Sequence, residues 1–366
     1  MTSVVITGMG AVSSVGLDAA TTCASIRAGL SRPETLVELE VLDREEQAPV
    51  GVTGHPASAV TFGFGGVGRW LQLATLALED LCRSAGLPGG TDTRFWSSTL
   101  CYVVVPVLDV ARFIMEPSCG SDAAVEGAFV RPLLARVKRA LVPGRTNLLG
   151  RGRTGVLEAL RLADEHFRRV HCERVLVLAV DSLTDASTLS WLAEHGRLKH
   201  DENPIGLIPG EGAVALLLEA PRVAVSRGAT VVGRVGAVAI EREPNARFIG
   251  ERSQGEALAR AVTSVLSSDG GALPYRAPTL TDLNGEEWRA REYGHARVRV
   301  SRQLWDGDGA DLPATSVGDL GAAMTALEVL IACRSLQRGY AVGDRVLFTS
   351  SDEYGNVGAS TIWKGA

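Results

Sequence analysis

Residues Pro209–Glu219 have the sequence PGEGAVALLLE, in which a glycine-rich turn leads into the uninterrupted apolar run Ala213–Leu218. A strand that is apolar at every position is typical of a sheet covered on both faces. Comparable runs alternate with helical patterns along the chain, which predicts an α/β protein with a largely buried sheet. The other predicted strands are Val4–Thr7, Leu100–Val107, Val175–Val180, Thr230–Ile240, Thr279–Leu283, Arg345–Thr349 and Ser360–Trp363.

Helical periodicity fills the intervals between these strands, with two exceptions. Asp18 and Asp185 stand where helix N-caps belong, and Gly339 follows the end of a predicted helix. Residues 31–66 and 107–127 are the exceptions, and we predict that they are irregular surface excursions. The predicted helices are Ala19–Gly29, Arg69–Ala85, Ala123–Leu141, Gly155–Val170, Ala186–Glu194, Gly255–Ser268 and Leu320–Gln337.

The composition excludes several classes of protein. The 366 residues are 46% hydrophobic but only 5% aromatic, so the apolar mass consists mostly of small aliphatic residues that suit a tightly layered fold. A net charge of −5 gives no general attraction to nucleic acid, and no apolar run is long enough for a membrane span. The six cysteines are scattered, and the start MTSVVITGMG resembles a strand rather than a signal peptide. We therefore expect a protein of the reducing cytoplasm without a disulfide framework.

Two glycine clusters, GFGGVG at Gly63–Gly68 and GRGRTG at Gly150–Gly155, match the dinucleotide-binding pattern. That pattern requires a strand before it, a helix after it and an acid about 20 residues further on. The first cluster follows a polar loop, and the second follows a Pro-Gly-containing loop at residues 142–147. The histidines and carboxylates show no metal-binding spacing. We therefore predict neither a cofactor nor a metal.

Six segments form a further pattern when they are taken in chain order. Pro209–Glu219 contains the sequence Gly-Glu-Gly-Ala and is the most specific of them. The others are Val4–Gly16, Arg69–Leu87, Val175–Thr184, Gly321–Gly339 and Ser350–Trp363. Together they resemble the β-ketoacyl-acyl-carrier-protein synthases of the thiolase superfamily over almost the whole chain, with poor matches only at the two excursions.

This resemblance implies a thiolase-like, five-layered α-β-α-β-α fold made of two pseudo-symmetric halves, which we place at residues 1–222 and 223–366. It also implies a dimer, either a homodimer or a heterodimer, and a Cys-His-His site. In such a site a cysteine thiolate at a helix N-terminus attacks an acyl thioester. Two histidines then stabilise charge during decarboxylation and condensation.

The reactive positions of that family correspond to other residue types in this chain. The nucleophilic cysteine corresponds to Gly152, within the segment NLLGRGRTGVLEAL, and the first histidine corresponds to Asn284. The second histidine corresponds to Gly318, or to Asp319 if one gap is allowed. The family's lysine and its closing gate correspond to Pro313, Asp352 and Tyr354. Because no thiol, hydroxyl or carboxylate stands at position 152, we expect no condensation by the usual route.

Arg151 and Arg153 flank Gly152 at the start of a predicted helix. The helix dipole repels cations at this end, so both arginines require a neutralising group. The candidate acids are Glu286, Glu287 and Asp319. Such pairing would build a structural ion cluster, and the alternative is a bound phosphopantetheine or carboxylate ligand at the same backbone N–H groups.

These changes predict a catalytically inactive protein that binds other proteins as a scaffold or adaptor. Thiolase-like proteins of bacterial type VI secretion loci are thought to help load effectors in this way. The alternative is a non-catalytic partner of an active ketosynthase in fatty acid or polyketide synthesis, similar to a chain-length factor, with acyl carrier protein as a further partner. An acyltransferase with rewired chemistry is less favoured, because only Asp319, Tyr354 and His295 offer generic polar groups. Cys101 and Cys119 do not stand at a helix N-terminus, which disfavours either as a replacement nucleophile.

Overall fold

The computed structural model describes residues 4–43, 47–90, 92–113, 121–169 and 172–365. The strands are β1 (Val5–Ser13), β2 (Glu34–Asp43), β3 (Ala48–Gly54), β4 (Thr99–Val105), β5 (Thr146–Gly150), β6 (Arg174–Ser182), β7 (Glu211–Glu219), β8 (Gly233–Arg242), β9 (Thr279–Thr281), β10 (Ala310–Asp311), β11 (Arg345–Ser351) and β12 (Asn356–Lys364). The helices are α1 (Ala19–Arg27), α2 (Ser58–Thr61), α3 (Val67–Ser84), α4 (Thr93–Ser97), α5 (Val110–Phe113), α6 (Ser121–Val125), α7 (Arg131–Arg136), α8 (Gly155–Arg168), α9 (Ala186–Glu194), α10 (Pro221–Ser226), α11 (Glu256–Ser268), α12 (Glu287–Arg299), α13 (Ala314–Val317) and α14 (Met324–Arg338). Within these ranges, no helix combines the length and apolarity needed to cross a membrane.

Ten strands form one mixed sheet that consists of two five-stranded sets with the same order. The first set runs β5-β4-β6-β7-β1 and the second runs β10-β9-β11-β12-β8. In each set the first three strands are parallel and the last two are antiparallel to their neighbours. The sets meet at β1 and β8, where only Val5 and Ile6 pair with Arg234 and Gly233. The division of the chain after residue 222, between β7 and β8, stays a prediction.

Helices cover both faces of each strand set. Leu160 of α8 and Leu327 of α14 belong to a core that also contains residues from both sets, so these two helices form the middle layer. Leu73 of α3 packs on the outer face of the first set. Val262 of α11 packs on the outer face of the second set. The resulting order of layers is α-β-α-β-α, which confirms the predicted fold class.

The prediction of a loop before the second glycine cluster is wrong. Residues Thr146–Gly150 form β5, which runs parallel to β4 with Cys101 opposite Thr146. β5 lies at the edge of the sheet, and none of its five side chains is fully buried. An edge strand does not need the continuous apolar run by which the inner strands were recognised.

The prediction that residues 31–66 are irregular is also wrong. β2 and β3 form an antiparallel hairpin in this segment, separate from the main sheet. Leu36 and Val52 of the hairpin pack against Trp191 and Leu192 of α9. The hairpin therefore has its own small core, in spite of its charged sequence.

The second excursion and the helix that follows it differ from expectation as well. Residues 107–127 include α5 and α6, while residues 114–120, with Cys119, lie outside the described ranges. The helix predicted over Ala123–Leu141 is divided into α6, a π-helical segment at Glu126–Val130 and α7, which ends at Arg136. The sequence prediction assumed a single α-helix, because π-helical segments are rare and have no composition by which they are recognised.

The contact between β1 and α3 allows a test of the layered packing. A Cβ atom at Gly10 would clash with the backbone of α3 at Ala77 and Leu81, so Gly10→Ala should lower the free energy of unfolding by about 1–3 kcal/mol, as overpacking does. Gly294→Ala is the matched control. Gly294 lies on an exposed position of α12 with nothing near its missing Cβ, so alanine there should stabilise the protein by about 0.5–1 kcal/mol. Urea denaturation of both variants measures the difference, and equal effects would contradict the close approach.

Candidate active site

The entry to α8, where the sequence predicts the position of a lost nucleophile, is a tight turn that begins at Gly152. After β5, a 3₁₀ turn at Gly152–Thr154 leads directly into α8. Gly152 has a φ of +55°, in the left-handed region that favours glycine. A Cβ atom at this position would have room, since its nearest neighbour would be Val107 Cγ2 at 3.4 Å. The turn is therefore shaped by its backbone, and Gly152 contributes no reactive group to it.

The entry to α14 has the same construction in the second half. A 3₁₀ turn at Gly321–Ala323 precedes the helix, and Gly321 has a φ of +52°. The Gly321 N–H donates to Asp319 Oδ1 over 2.8 Å, and the Ala322 N–H donates to Asp181 Oδ2 over 3.0 Å. Carboxylates of the protein thus occupy the N–H groups that a helix start leaves without partners.

A buried ion pair connects the two helix entries. Arg153 is only 3% exposed, and its Nη2 donates to Asp319 Oδ2. Asn284 Nδ2 donates to the same oxygen over 2.6 Å. Burial raises the pKa of Asp319, but Arg153, Arg289 and the hydrogen bonds from Asn284 and the Gly321 N–H together outweigh burial and hold that pKa below its usual value. Asp319 is therefore a carboxylate at neutral pH.

Asn284 extends this pair into a second group of charges. Its Nδ2 also donates to Glu286 Oε2 over 2.9 Å. Arg197 binds both oxygens of Glu286 through Nε and Nη2, each over 2.8 Å, and it also pairs with Glu353. Arg289 Nη2 donates to Glu353 Oε1 over 3.0 Å. Bidentate geometry of this kind is the strongest form of arginine–carboxylate contact.

Two further buried acids, Asp282 and the α14 residue Glu328, belong to the same group of charges. Asp282 Oδ2 accepts from Arg289 Nη1 over 3.0 Å, yet burial still raises the pKa of Asp282. Glu328 is fully buried, and neither of its side-chain oxygens has a hydrogen-bond partner. Burial and the neighbouring Asp282 raise the pKa of Glu328 well above its usual value. We call the following group the ion cluster: Arg153, Arg197, Arg289, Asp282, Asn284, Glu286, Asp319, Glu328 and Glu353.

The space that remains beside Gly152 is small. A cavity of about 40 Å³ lies between Gly152, Arg153 and Trp191. Arg112 closes another side of it and pairs with Asp181 over 2.6 Å. A water molecule takes up about 30 Å³ in the liquid, so the cavity is of the size of one or two waters. It has no room for an acyl chain.

The predicted ion-cluster residues separate into two groups. Arg153, Glu286 and Asp319 come together through Asn284. Arg151 instead has a mostly exposed side chain, 3.6 Å from Glu158. Glu287 lies on the exposed side of α12 and pairs with Arg291 over 2.7 Å. Sequence neighbours diverge here because successive residues of a turn or helix start point in different directions.

Gly318 and Asp319, the two residues predicted for the second histidine position, differ in whether they place a side chain in the site. Gly318 has a φ of +69°, and a Cβ atom there would lie 2.9 Å from the carbonyl oxygens of Ile208 and Pro209. This backbone therefore accepts no side chain at 318, and it is Asp319 that reaches the site. Pro313, at the position of the family's lysine, is a buried residue at the start of α13.

The turn between β11 and β12, which the sequence predicts to correspond to the family's gate, is held in place by hydrogen bonds from its own side chains. Asp352 Oδ1 accepts from the backbone N–H groups of Tyr354 and Asn356, each over 2.9 Å. Tyr354 donates its hydroxyl to Asp109 Oδ2 over 2.7 Å. These bonds hold the turn against the segment that follows β4.

Several cluster members were not found from the sequence. Arg197, Arg289 and Glu353 come from three separate segments; Arg197 and Arg289 belong to no motif, and Glu353 was noted only as part of the segment that corresponds to the family's gate. Glu328 carried the one available signal, because it interrupts the apolar helix sequence MTALEVLIAC. A single acid on a buried helix face is unusual unless it serves a polar site.

The Arg153–Asp319 pair can be tested by removing one charge. Asp319→Asn leaves the guanidinium of Arg153 buried without its carboxylate, which should cost about 3 kcal/mol of unfolding free energy. Glu158→Gln is the matched control, because the pair of Glu158 with Arg151 is partly exposed and should contribute less than about 1 kcal/mol. Urea denaturation at neutral pH measures both. Equal losses of unfolding free energy in the two variants would show that the buried pair stabilises the protein no more than the exposed pair does.

The gate turn leads to a prediction about pH. Burial raises the pKa of Asp352 from its usual 3.8 to about 6. The folded protein then holds this proton more tightly than the unfolded chain, so the stability that Asp352 contributes is present at acidic pH. It falls as the pH rises from about 4 to about 6. Asp352→Asn cannot titrate, so the difference in unfolding free energy between wild type and variant should decline over this window and level off above it. Urea denaturation across the window gives this difference, and a constant value would contradict the raised pKa.

Comparisons with known proteins address the fold. No protein-family model matches the chain, and no curated protein matches it in sequence. One similar solved structure is a complex of a type II polyketide synthase acyl-carrier protein with its ketosynthase bound to the hexaketide, with a TM-score of 0.75 and 16% identity over 99% of both chains. Another is the ishigamide ketosynthase/chain length factor, with a TM-score of 0.74 and 17% identity over 99% of both chains.

A beta-ketoacyl synthase from Burkholderia phymatum STM815 is also similar, with a TM-score of 0.72 and 16% identity over 100% of both chains. Identities this low, combined with complete coverage, speak for the architecture. They confirm that the chain has the thiolase-like fold of the ketosynthases.

Proposed function

We propose that this protein is a non-catalytic member of the ketosynthase fold and acts by binding another protein. The observation that carries the proposal is the buried pair of Arg153 with Asp319 at the helix entry where a nucleophile would stand. A glycine at 152 and an arginine beside it leave no group that can form an acyl-enzyme.

Among the described residues, no buried cysteine is placed to supply the missing nucleophile. Cys101 is the cysteine on β4, and its thiol is completely buried. Burial raises the pKa of Cys101 to about 12, so it is not a thiolate at neutral pH. The unpaired state of Cys23, Cys82, Cys172 and Cys333 fits the reducing cytoplasm that we propose as its location.

A protein partner is supported by the edge of the sheet. Within the described part of the chain, β5 pairs only with β4, so its other edge offers unpaired backbone groups. Such an edge is a template for a strand of a second chain, either another copy or a different protein. Two of the similar structures are a ketosynthase with its acyl-carrier protein and a ketosynthase/chain length factor.

Two kinds of partner follow from these observations. As a scaffold or adaptor, the protein would bind a component outside acyl chemistry, such as a part of a type VI secretion system. As a relative of chain-length factors, it would bind an active ketosynthase. The small cavity beside Gly152 favours the first kind, because a subunit that shapes an acyl chain needs space for it. The similar structures favour the second.

The catalytic part of the proposal is tested with acylated carrier proteins. Wild-type protein is incubated with malonyl- and acyl-carrier protein beside an active ketosynthase as positive control. Intact-mass spectrometry and thioester assays then measure adducts and consumption. We expect no adduct and no turnover above the background reaction. A stable acyl adduct on the wild-type protein would overturn the proposal.

The variant Gly152→Cys asks whether only the nucleophile is missing. A Cβ atom has room at 152, with a backbone penalty of about 1 kcal/mol for the left-handed φ. We expect the variant to fold and to remain without condensation activity, because Asn284 and Asp319 stand where the family has histidines. Condensation by this variant would contradict the view that the ion cluster has replaced the whole site.

The partner is identified by affinity capture from the native host, followed by mass spectrometry. Leu148→Pro in β5 is the test variant, because it removes one backbone donor from the edge strand. Val225→Ser, at an exposed position of the short helix α10, is the control. A proline control is avoided, because proline would disrupt α10 at Val225 and would precede Pro274 at Leu273. Capture that is lost with Leu148→Pro but kept with Val225→Ser supports pairing along β5. Capture that both variants retain equally argues against it.

A further inference from the structure

A groove of about 480 Å³ lies at the opposite end of α14 from the ion cluster. Arg334 of α14 and Arg227, which follows α10, are its two charged lining residues, and no carboxylate lines it in the described part of the chain. Arg334 lies about 15 Å along the helix axis from Met324, where α14 begins. The groove is therefore a separate feature from the candidate active site.

The strand layout explains why the groove exists. β1 pairs with β8 only at Val5 and Ile6, and the register of β1 against β7 shifts between Ile6 and Gly8. β8 begins at Gly233, opposite Ile6, so beyond this bulge β1 has no strand beside it on that side. Thr7 and Met9 line the groove there, facing the segment Arg227–Thr230 that precedes β8. Bulges commonly redirect side chains next to binding sites.

Arg227 and Arg334 differ in how many of their guanidinium N–H groups have hydrogen-bond partners. Arg227 directs Nε and Nη2 to Glu219, with its closest contact at 2.6 Å, and its Nη1 takes part in no hydrogen bond there. Arg174 also pairs with Glu219 over 3.1 Å, and it pairs with Glu173 over 3.3 Å, so Arg227 and Arg174 are balanced by two carboxylates. Arg334 forms no hydrogen bond or ion pair with any described residue, although its side chain is half-buried. A half-buried cation without a counter-charge leaves its hydrogen-bonding capacity to a ligand.

We propose that this groove binds a phosphate group, either as free phosphate or as part of a small phosphate monoester. Arg334 brings a positive charge without a carboxylate partner to the groove, the Nη1 group of Arg227 adds free donors, and guanidinium groups bind phosphate oxygens through paired hydrogen bonds. Thr230 and Gln337 also line the groove and add a hydroxyl and an amide. The protein as a whole carries a charge of −5, so the positive groove is a local arrangement rather than a general property.

The test is calorimetric titration of the full-length protein with inorganic phosphate, glycerol 3-phosphate and acetate at low ionic strength. Saturable binding of phosphate or glycerol 3-phosphate is expected. Arg334→Gln should weaken it by about tenfold or more, since a charge-assisted contact is lost. Ala20→Trp should weaken it as well, because Ala20 is an exposed lining residue whose enlargement fills the groove and keeps Arg334. Arg338→Gln is the matched control, since Arg338 is an exposed arginine on the same helix that does not line the groove.

The outcomes separate as follows. Tighter binding of glycerol 3-phosphate than of phosphate identifies a monoester, and equal binding identifies the free ion, both within the proposal. Acetate binding as tight as phosphate would overturn it in favour of a carboxylate. No saturable binding, or equal losses in Arg334→Gln and Arg338→Gln, would overturn it in favour of general charge attraction. Thermal unfolding of each variant checks that it is folded.

Discussion

The ion pair between Arg153 and Asp319 is the contact on which the centre of this molecule depends. It lies between the entries of α8 and α14, the two helices that separate the strand sets. Both helices begin with a 3₁₀ turn that starts at a glycine with positive φ. Two helix N-termini directed at one region create a strongly positive field, and the carboxylates of the ion cluster neutralise it. This field stabilises side-chain anions of the protein itself.

The ion cluster also shows how buried charged side chains compensate one another in an apolar interior. Arg197 and Arg289 share Glu353, and Asn284 bridges Glu286 and Asp319. Carboxylates outnumber guanidinium groups in the cluster, and burial raises the pKa of Glu328, which favours the uncharged form of this side chain. Buried networks of this kind favour one arrangement strongly, because each member depends on the others for its counter-charge.

The sequence revealed the architecture but not the composition of the site. Apolar runs such as Ala213–Leu218 identified the inner strands, because burial on both faces demands continuous hydrophobicity. β5 was not recognised from the sequence, because the side chains of an edge strand are only partly buried and need no continuous apolar run. Arg153, Glu286 and Asp319 were named from the need to neutralise a helix start. Arg197, Arg289 and Glu353 could not be, since their approach depends on three chain segments that meet only in the folded protein.

The narrow seam between β1 and β8 has a consequence for how the halves stay together. Two residue pairs of backbone bonding are a weak link for a sheet of ten strands. The two strand sets are therefore held together mainly by the side chains of α8 and α14, which pack between them, and much less by the backbone hydrogen bonds of the sheet. These two helices form a shared wall between the sets. Opening of the halves would require this wall to split, with the charges at its end exposed at once. Amide hydrogen exchange in the two helices would then follow a common, highly cooperative opening, while the helices on the outer faces exchange through smaller local events.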